Sequence, residues 1–311
     1  MLKSNTNISG IFAVVLASVF WGTTGTAASF APDISPLAIG ASAMGGGGLL
    51  LLINARKKLT KDIATLVRNY KLLLCGGAAV AIYPLAFYSS MRFSGVAIGT
   101  LISIASAPFF TVLLERIISK KSISLHWIIS FIVGAIGIVL LTLGKQDSSY
   151  SAEASLLHLI GIGLGLIAAL TYATYSWAAR GMIERGVSSQ SAMASMFGLA
   201  ATLLLPSLWV TGDNLFADAT HTAVVIYMAT IPMFLGYLLF GHALKQLEAS
   251  TATLITLLEP AVATLFAVSL VGERFSLIGW YGLAFIVVCL LLQVVPFPAS
   301  RLGKNPAADS Y

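Results

Sequence analysis

Apolar runs about twenty residues long recur along this chain, and that constrains its fold more than any motif. Ten can be marked: residues 10–31, 36–55, 72–91, 95–115, 124–143, 155–180, 189–210, 221–244, 249–271 and 276–296. Each is long enough to cross a bilayer as a helix. Hydrocarbon offers no partner for exposed peptide groups, so spans of this kind fold as helices that satisfy their own backbone. The 311 residues are 58% hydrophobic and only 10% charged, against roughly 25% charged in a soluble domain. The ten spans leave no stretch for a separate soluble domain. The run Ile11 to Phe30 resembles a leader peptide, but it is interrupted by Trp21-Gly22-Thr23-Thr24 and has a counterpart later in the chain. It reads as a retained helix.

The net charge of +6 would suggest nucleic acid in a soluble protein. Here the basic residues sit between apolar spans, so orientation is the better reading and no nucleic-acid partner is expected. With the N-terminus taken as cytoplasmic, Arg92, Lys145 and Arg274 lie outside and the other fifteen of the 18 Lys and Arg lie inside. That asymmetry places both termini in the cytoplasm. The segment ARKKLTKDIATLVRNYK, from Ala55 to Lys71, is expected to be the longest and most basic loop. Cys75 and Cys289 fall inside apolar segments and read as packed small side chains, not as a metal or disulfide pair.

The chain also repeats itself. Trp21-Gly22-Thr23 stands opposite Tyr172-Ala173-Thr174, Val96-Ala97 opposite Glu248-Ala249, and Ala107-Pro108 opposite Glu259-Pro260, at offsets of 151 to 152 residues. Five spans per half is an odd number, so the second half enters the membrane from the opposite side. The expected fold is all-α: ten transmembrane helices as two inverted five-helix repeats around a central cavity. The halves are residues 10–143 and 155–296, joined by a polar loop over 144–154 and followed by a tail over 297–311. Such symmetry suits alternating access, since each half can take the other's part.

FWGTT at 20–24, AP at 107–108, EP at 259–260 and GERFSLIGWYGL at 272–283, in this order and spacing, resemble the drug/metabolite transporter superfamily in its bacterial EamA-type branch. The resemblance covers about residues 10 to 296. It implies ten helices around a cavity and export of amino acids, related metabolites or toxic compounds. Two departures stand out. Lys121 occupies a place where many relatives carry glutamate, and GASAMGGGG at 40–48 lacks the arginine many carry early in the second helix.

Glu259 is the sharpest site candidate. An ionised acid at mid-membrane costs on the order of 3 kcal/mol, and such groups usually face a cavity or a partner. It can contact a cationic solute or carry a coupling proton. Alternatively, it knits the kink at Pro260, whose ring leaves the carbonyl of Thr256 without its helical donor. Pro84, Pro108, Pro232 and Pro260 are candidate hinges or static kinks. Trp21 and Thr24 share one helix face, Tyr172 and Tyr175 the matching face of the sixth span, and Tyr83 and Phe87 lie on a third helix. Together they suit the wall of a site for an amphipathic solute; the alternative is ordinary packing. Ser103, Ser106, Thr253 and Thr256 are expected to bond back to the backbone, and Gly45 to Gly48 to let helices approach closely.

The expected function is secondary-active export of a small amphipathic metabolite, such as an amino acid or amine, by alternating access. Its partners are that solute, the lipid bilayer and candidate coupling protons, with monomer and homodimer both open. No nucleotide loop or metal spacing is present, so no cofactor is expected. An enzyme or lipid-handling protein using Glu259 as acid/base is the alternative, though a second positioned group is missing. Uptake or facilitated diffusion on the same fold remains a further alternative.

Overall fold

The computed structural model describes residues 2–144, 156–271 and 276–294, so the inter-repeat loop beyond Gly144 and the 297–311 tail lie outside the described residues. Among the described residues every regular element is helical. Nine of these helices are long and apolar enough to span a membrane: α1 (Ile8–Ser29), α2 (Pro36–Arg68), α3 (Tyr70–Ser94), α4 (Ile98–Ile117), α5 (Leu125–Gly144), α6 (Leu156–Glu184), α7 (Ser189–Thr211), α8 (Ala219–Leu244) and α9 (Ala249–Leu270). A shorter apolar helix, α10 (Leu277–Gln293), completes the ten. We call the face on which α1 begins the near face and the opposite one the far face.

The expected basic loop after the second span is not a loop. Helix α2 runs on to Arg68, and Asn69 is the whole junction before α3 starts at Tyr70. The reason is local. Between Leu49 and Arg68 there is neither Gly nor Pro, and Leu, Ala, Lys and Arg are strong helix formers. The helix stops where Asn69 turns its amide onto the Thr65 carbonyl, at 2.9 Å.

Swapping each helix for the one five places away maps the packing onto itself. Helix α2 lies on α7, α5 on α10 and α4 on α9; α3 packs on α6 as α8 does on α1, and α4 on α6 as α9 does on α1. This is the signature of a two-fold axis in the membrane plane. The caps repeat as well. Ser35 opens α2 by accepting from the Ala38 N–H, and Ser188 opens α7 by accepting from the Ser191 N–H, with nearly identical backbone angles. Lipid supplies no hydrophobic drive between helices, so close approach must do the work. A Cβ at Gly48 of α2 would lie 2.4 Å from the Phe197 carbonyl of α7. One at Gly282 of α10 would lie 2.3 Å from the Leu141 nitrogen of α5.

Helices α4 and α9 are each broken in the middle. In α4 the break falls at Ser106, between Val96–Ala105 and Ala107–Ile117, so Pro108 sits in the first turn of the second segment. In α9 it falls between Ala249–Ile255 and Leu258–Phe266, with Pro260 placed likewise. Proline is tolerated there because first-turn amides have no helical acceptor. Pro232 lies in a π-helical segment, Ala229–Leu235, whereas α3 passes through Pro84 without a break.

Candidate functional site

The break in α9 and the turn at Thr23 in α1 lie against each other. Gly22 makes this possible: a Cβ there would lie 2.7 Å from Val262 and 3.0 Å from the Glu259 carbonyl. Around this point is a small cage of about 50 Å3, lined by Trp21, Tyr83, Tyr88, Tyr172, Tyr175 and Tyr237 with Glu259. Thr24, Phe87 and Pro84 complete the expected residues on its wall. The cage continues into a vestibule of about 430 Å3 that shares Trp21, Thr24, Phe87, Tyr88 and Glu259 and reaches the far face at Ala31, Pro32 and Pro36.

All seven residues expected at a binding site therefore come together, but not all in the same way. The Trp21 indole is 5% exposed and donates to the Pro232 carbonyl at 2.9 Å. That bond ties α1 to the π-helical part of α8, while Trp21 packs 4.9 Å from Tyr237 and 5.4 Å from Phe240. The Tyr172 hydroxyl donates to Thr256 at 3.0 Å, and those of Tyr175 and Tyr237 bond to each other at 2.9 Å. These buried rings form the floor. Tyr83, stacked on Phe87 at 5.6 Å, is partly exposed on the wall. Thr24 lines both spaces although its hydroxyl returns to the Trp21 carbonyl. Of the four prolines, Pro84 lines the cage and Pro260 the vestibule; Pro232 acts through its carbonyl, and Pro108 marks the break in α4.

Glu259 is the only acid, and there is no Lys, Arg or His, among the described residues lining cage and vestibule. The kink does not require its carboxyl. The Thr256 carbonyl accepts from the main-chain N–H of Glu259 at 2.9 Å, and the Thr256 hydroxyl donates to the Thr253 carbonyl. Thr253 bonds back to Ala249, as expected of these hydroxyls. Ser103 does not: its hydroxyl is buried without a partner among the described residues.

Sequence reasoning missed Tyr88 and Tyr237. Each lies one turn after a proline, Pro84 and Pro232, but the spacing is four residues in α3 and five in α8. The π-helical turn supplies the extra residue.

It also missed the seal on the near face. Lys121, from the turn after α4, bridges Glu184 at the end of α6, at 2.7 Å, and Glu248 at the start of α9. Arg180 pairs with Glu184 at 3.0 Å and Glu248 at 3.5 Å, and donates to the last carbonyl of α8, Leu244, at 2.7 Å. Buried Glu115 of α4 accepts from the Ala249 N–H at 2.9 Å, at the N-terminus of α9 where a carboxylate is favoured. Burial opposes the charge on Lys121, but its two carboxylates outweigh that and hold its pKa above the usual lysine value. Between this network and the cage, Phe197, Phe240 and Leu244 are fully buried. The cavity is thus open to the far face and closed to the near face.

Residues 8–143 and 159–295 match the EamA-like transporter family. The chain is 30% identical over 291 residues to "Uncharacterized transporter YwfM" of Bacillus subtilis (strain 168), covering 92% of this chain and 93% of that protein. It is 22% identical to a "Probable terminal-alkyne amino-acid exporter" of Streptantibioticus cattleyicolor, over 83% of this chain and 87% of that one. A crystal structure aligns with a TM-score of 0.76 and 17% identity, covering 93% of this chain and 96% of its own, which establishes a shared fold.

Proposed function

The chain belongs to the EamA-like transporter family, and on that premise we propose that it exports a small amphipathic metabolite, an amino acid or amine, across the bacterial inner membrane by alternating access. The observation that carries this reading is the place of Glu259. Glu259 lines both the aromatic cage and the vestibule that leads from it to the far face. The proposed moving halves are residues 10–143 and 155–296, rocking about the broken helices α4 and α9. The near face, which holds most of the Lys and Arg, is the cytoplasmic one. In the far-open state Lys121 and Arg180 hold the near face shut. In the near-open state those pairs separate and the far ends of α1, α3 and α4 close over the vestibule. Glu259 holds a proton when the cage is empty and gives it up when solute binds, so that proton entry drives solute exit. The relative named as an amino-acid exporter supports the solute class.

The test is counterflow in proteoliposomes with labelled amino acids and amines, comparing wild type with Glu259→Gln, with and without an imposed pH gradient. Solute exchange in the wild type, with loss of gradient-driven accumulation in the variant, is expected. A variant equal to wild type in both assays refutes the role given to Glu259.

A further inference from the structure

The proposed transport site is chemically one-sided. An amino acid carries two opposite charges at neutral pH, and a site that desolvates both must answer both. Cage and vestibule hold one carboxylate, Glu259, and no Lys, Arg or His among the described lining residues. The Trp21 indole N–H is already engaged by Pro232, the Tyr172 hydroxyl by Thr256, and the Tyr175 and Tyr237 hydroxyls by each other. The Tyr175–Tyr237 pair leaves one O–H over, and the Tyr83 and Tyr88 hydroxyls also line the cage. These are neutral donors; no cation stands among the described lining residues to balance a solute carboxylate, and Glu259 would repel it.

For a cation the same features are favourable. Aromatic faces attract an ammonium group placed within about 6 Å of the ring centroid. The rings here are mutually close: Tyr83 lies 5.7 Å from Tyr172 and 6.0 Å from Tyr175, and Tyr172 lies 5.2 Å from Tyr175. They come from α3 and α6, and Trp21 of α1 and Tyr237 of α8 line the same cage, so one head group lies near several rings. The two volumes divide a ligand unequally. The cage, about 50 Å3, suits a head group, and the vestibule, about 430 Å3, suits a larger body against Phe87, Met91 and Ile104.

Resting on the transporter reading above, we propose that the solute is an amphipathic organic monocation. Its ammonium head sits in the aromatic cage against Glu259 and its apolar body lies in the vestibule, so of the two solute classes proposed above the amine is preferred over the zwitterionic amino acid. Exchange is then one monocation against one proton at the same carboxyl, which moves no net charge.

Four probes with one hydrophobe separate the charges: phenethylamine, phenylalanine, 3-phenylpropionate and 2-phenylethanol. Each is offered at equal concentration to wild-type protein in proteoliposomes, with counterflow as the readout. Binding to purified protein is followed in parallel by the shift in melting temperature. We expect phenethylamine to exchange and stabilise, phenylalanine and phenylpropionate to fall at least tenfold below it, and the N-trimethylated amine to bind as well. Equal or better exchange of phenylalanine overturns the cation assignment and leaves the transporter reading standing. If none of the four binds or moves, the cage is not the transport site and both readings fall. The comparison uses wild-type protein, so it does not depend on a Glu259 variant folding.

Discussion

Lys121 offers the most direct perturbation of the closed near face. It makes two charged contacts, with Glu184 at 2.7 Å and with Glu248, and its side chain is 28% exposed while theirs are 39% and 45% exposed. At that exposure water screens much of the attraction, so each contact contributes about 0.5 kcal/mol and the two together about 1 kcal/mol. If both contacts exist only while the near face is shut, Lys121→Ala shifts the equilibrium toward the near-open state by roughly fivefold, taking 1.4 kcal/mol per factor of ten. Lys121→Arg keeps the charge and should stay within about twofold. The reporter is Ala243→Cys, fully buried at the near end of α8, in a Cys75→Ser background that removes the exposed native thiol. In lipid nanodiscs both faces meet the reagent, so the rate of maleimide labelling reads the open fraction. We expect that rate to rise about fivefold in Lys121→Ala. The larger effect of breaking a fully buried ion pair does not apply, because the carboxylates left behind can reach water. A second reporter, Ala28→Cys on the vestibule, should label more slowly. Unchanged labelling at Ala243, or a rise at both positions, would show that the network does not discriminate between the two states.

Three further outcomes follow from the same geometry. Tyr175→Phe strands the buried Tyr237 hydroxyl and should lower unfolding stability by about 1–3 kcal/mol, with the double variant Tyr175→Phe/Tyr237→Phe recovering part of the loss in a thermal-melt cycle. Gly40→Ala places a Cβ 2.5 Å from the Tyr88 ring; counterflow should fall well before the melting temperature does, because the ring must leave the cage wall. Lys121 sets a pH limit on the seal. Because its pKa is raised, its contribution is complete below the unfolded lysine value of about 10.4 and is lost only as pH climbs through the higher folded value. In a Glu259→Gln background, Ala243→Cys labelling corrected for thiolate fraction should be flat between about pH 7 and pH 9; a steady rise across that window contradicts the assignment.

Much of this architecture was legible in the residues. The spans, the matched breaks before Pro108 and Pro260 and the isolated acid Glu259 all follow from hydropathy, proline chemistry and an internal offset. What escaped did so for physical reasons. The extension of α2 past residue 55 carries charges, and charge reads as loop, although nothing in Ala55–Arg68 breaks a helix. Tyr237 was hidden by the π-helical turn that shifts its spacing from Pro232. The near-face seal draws Lys121, Arg180, Glu184 and Glu248 from the ends of α4, α6 and α9. Each looks like a solvated terminal charge until the helices are packed. Trp21 and Tyr172 were found because they share a repeat position, but their polar atoms serve the protein's own bonds, a fact no spacing reveals.

The central claim is that solute and proton share Glu259. The most direct measurement is proton release: a solute identified by counterflow is added to purified protein in weakly buffered detergent with a pH-sensitive dye. The account predicts release approaching one proton per chain in the wild type and none in Glu259→Gln. Saturating binding to the wild type with no proton released, or equal release from the variant, would contradict it.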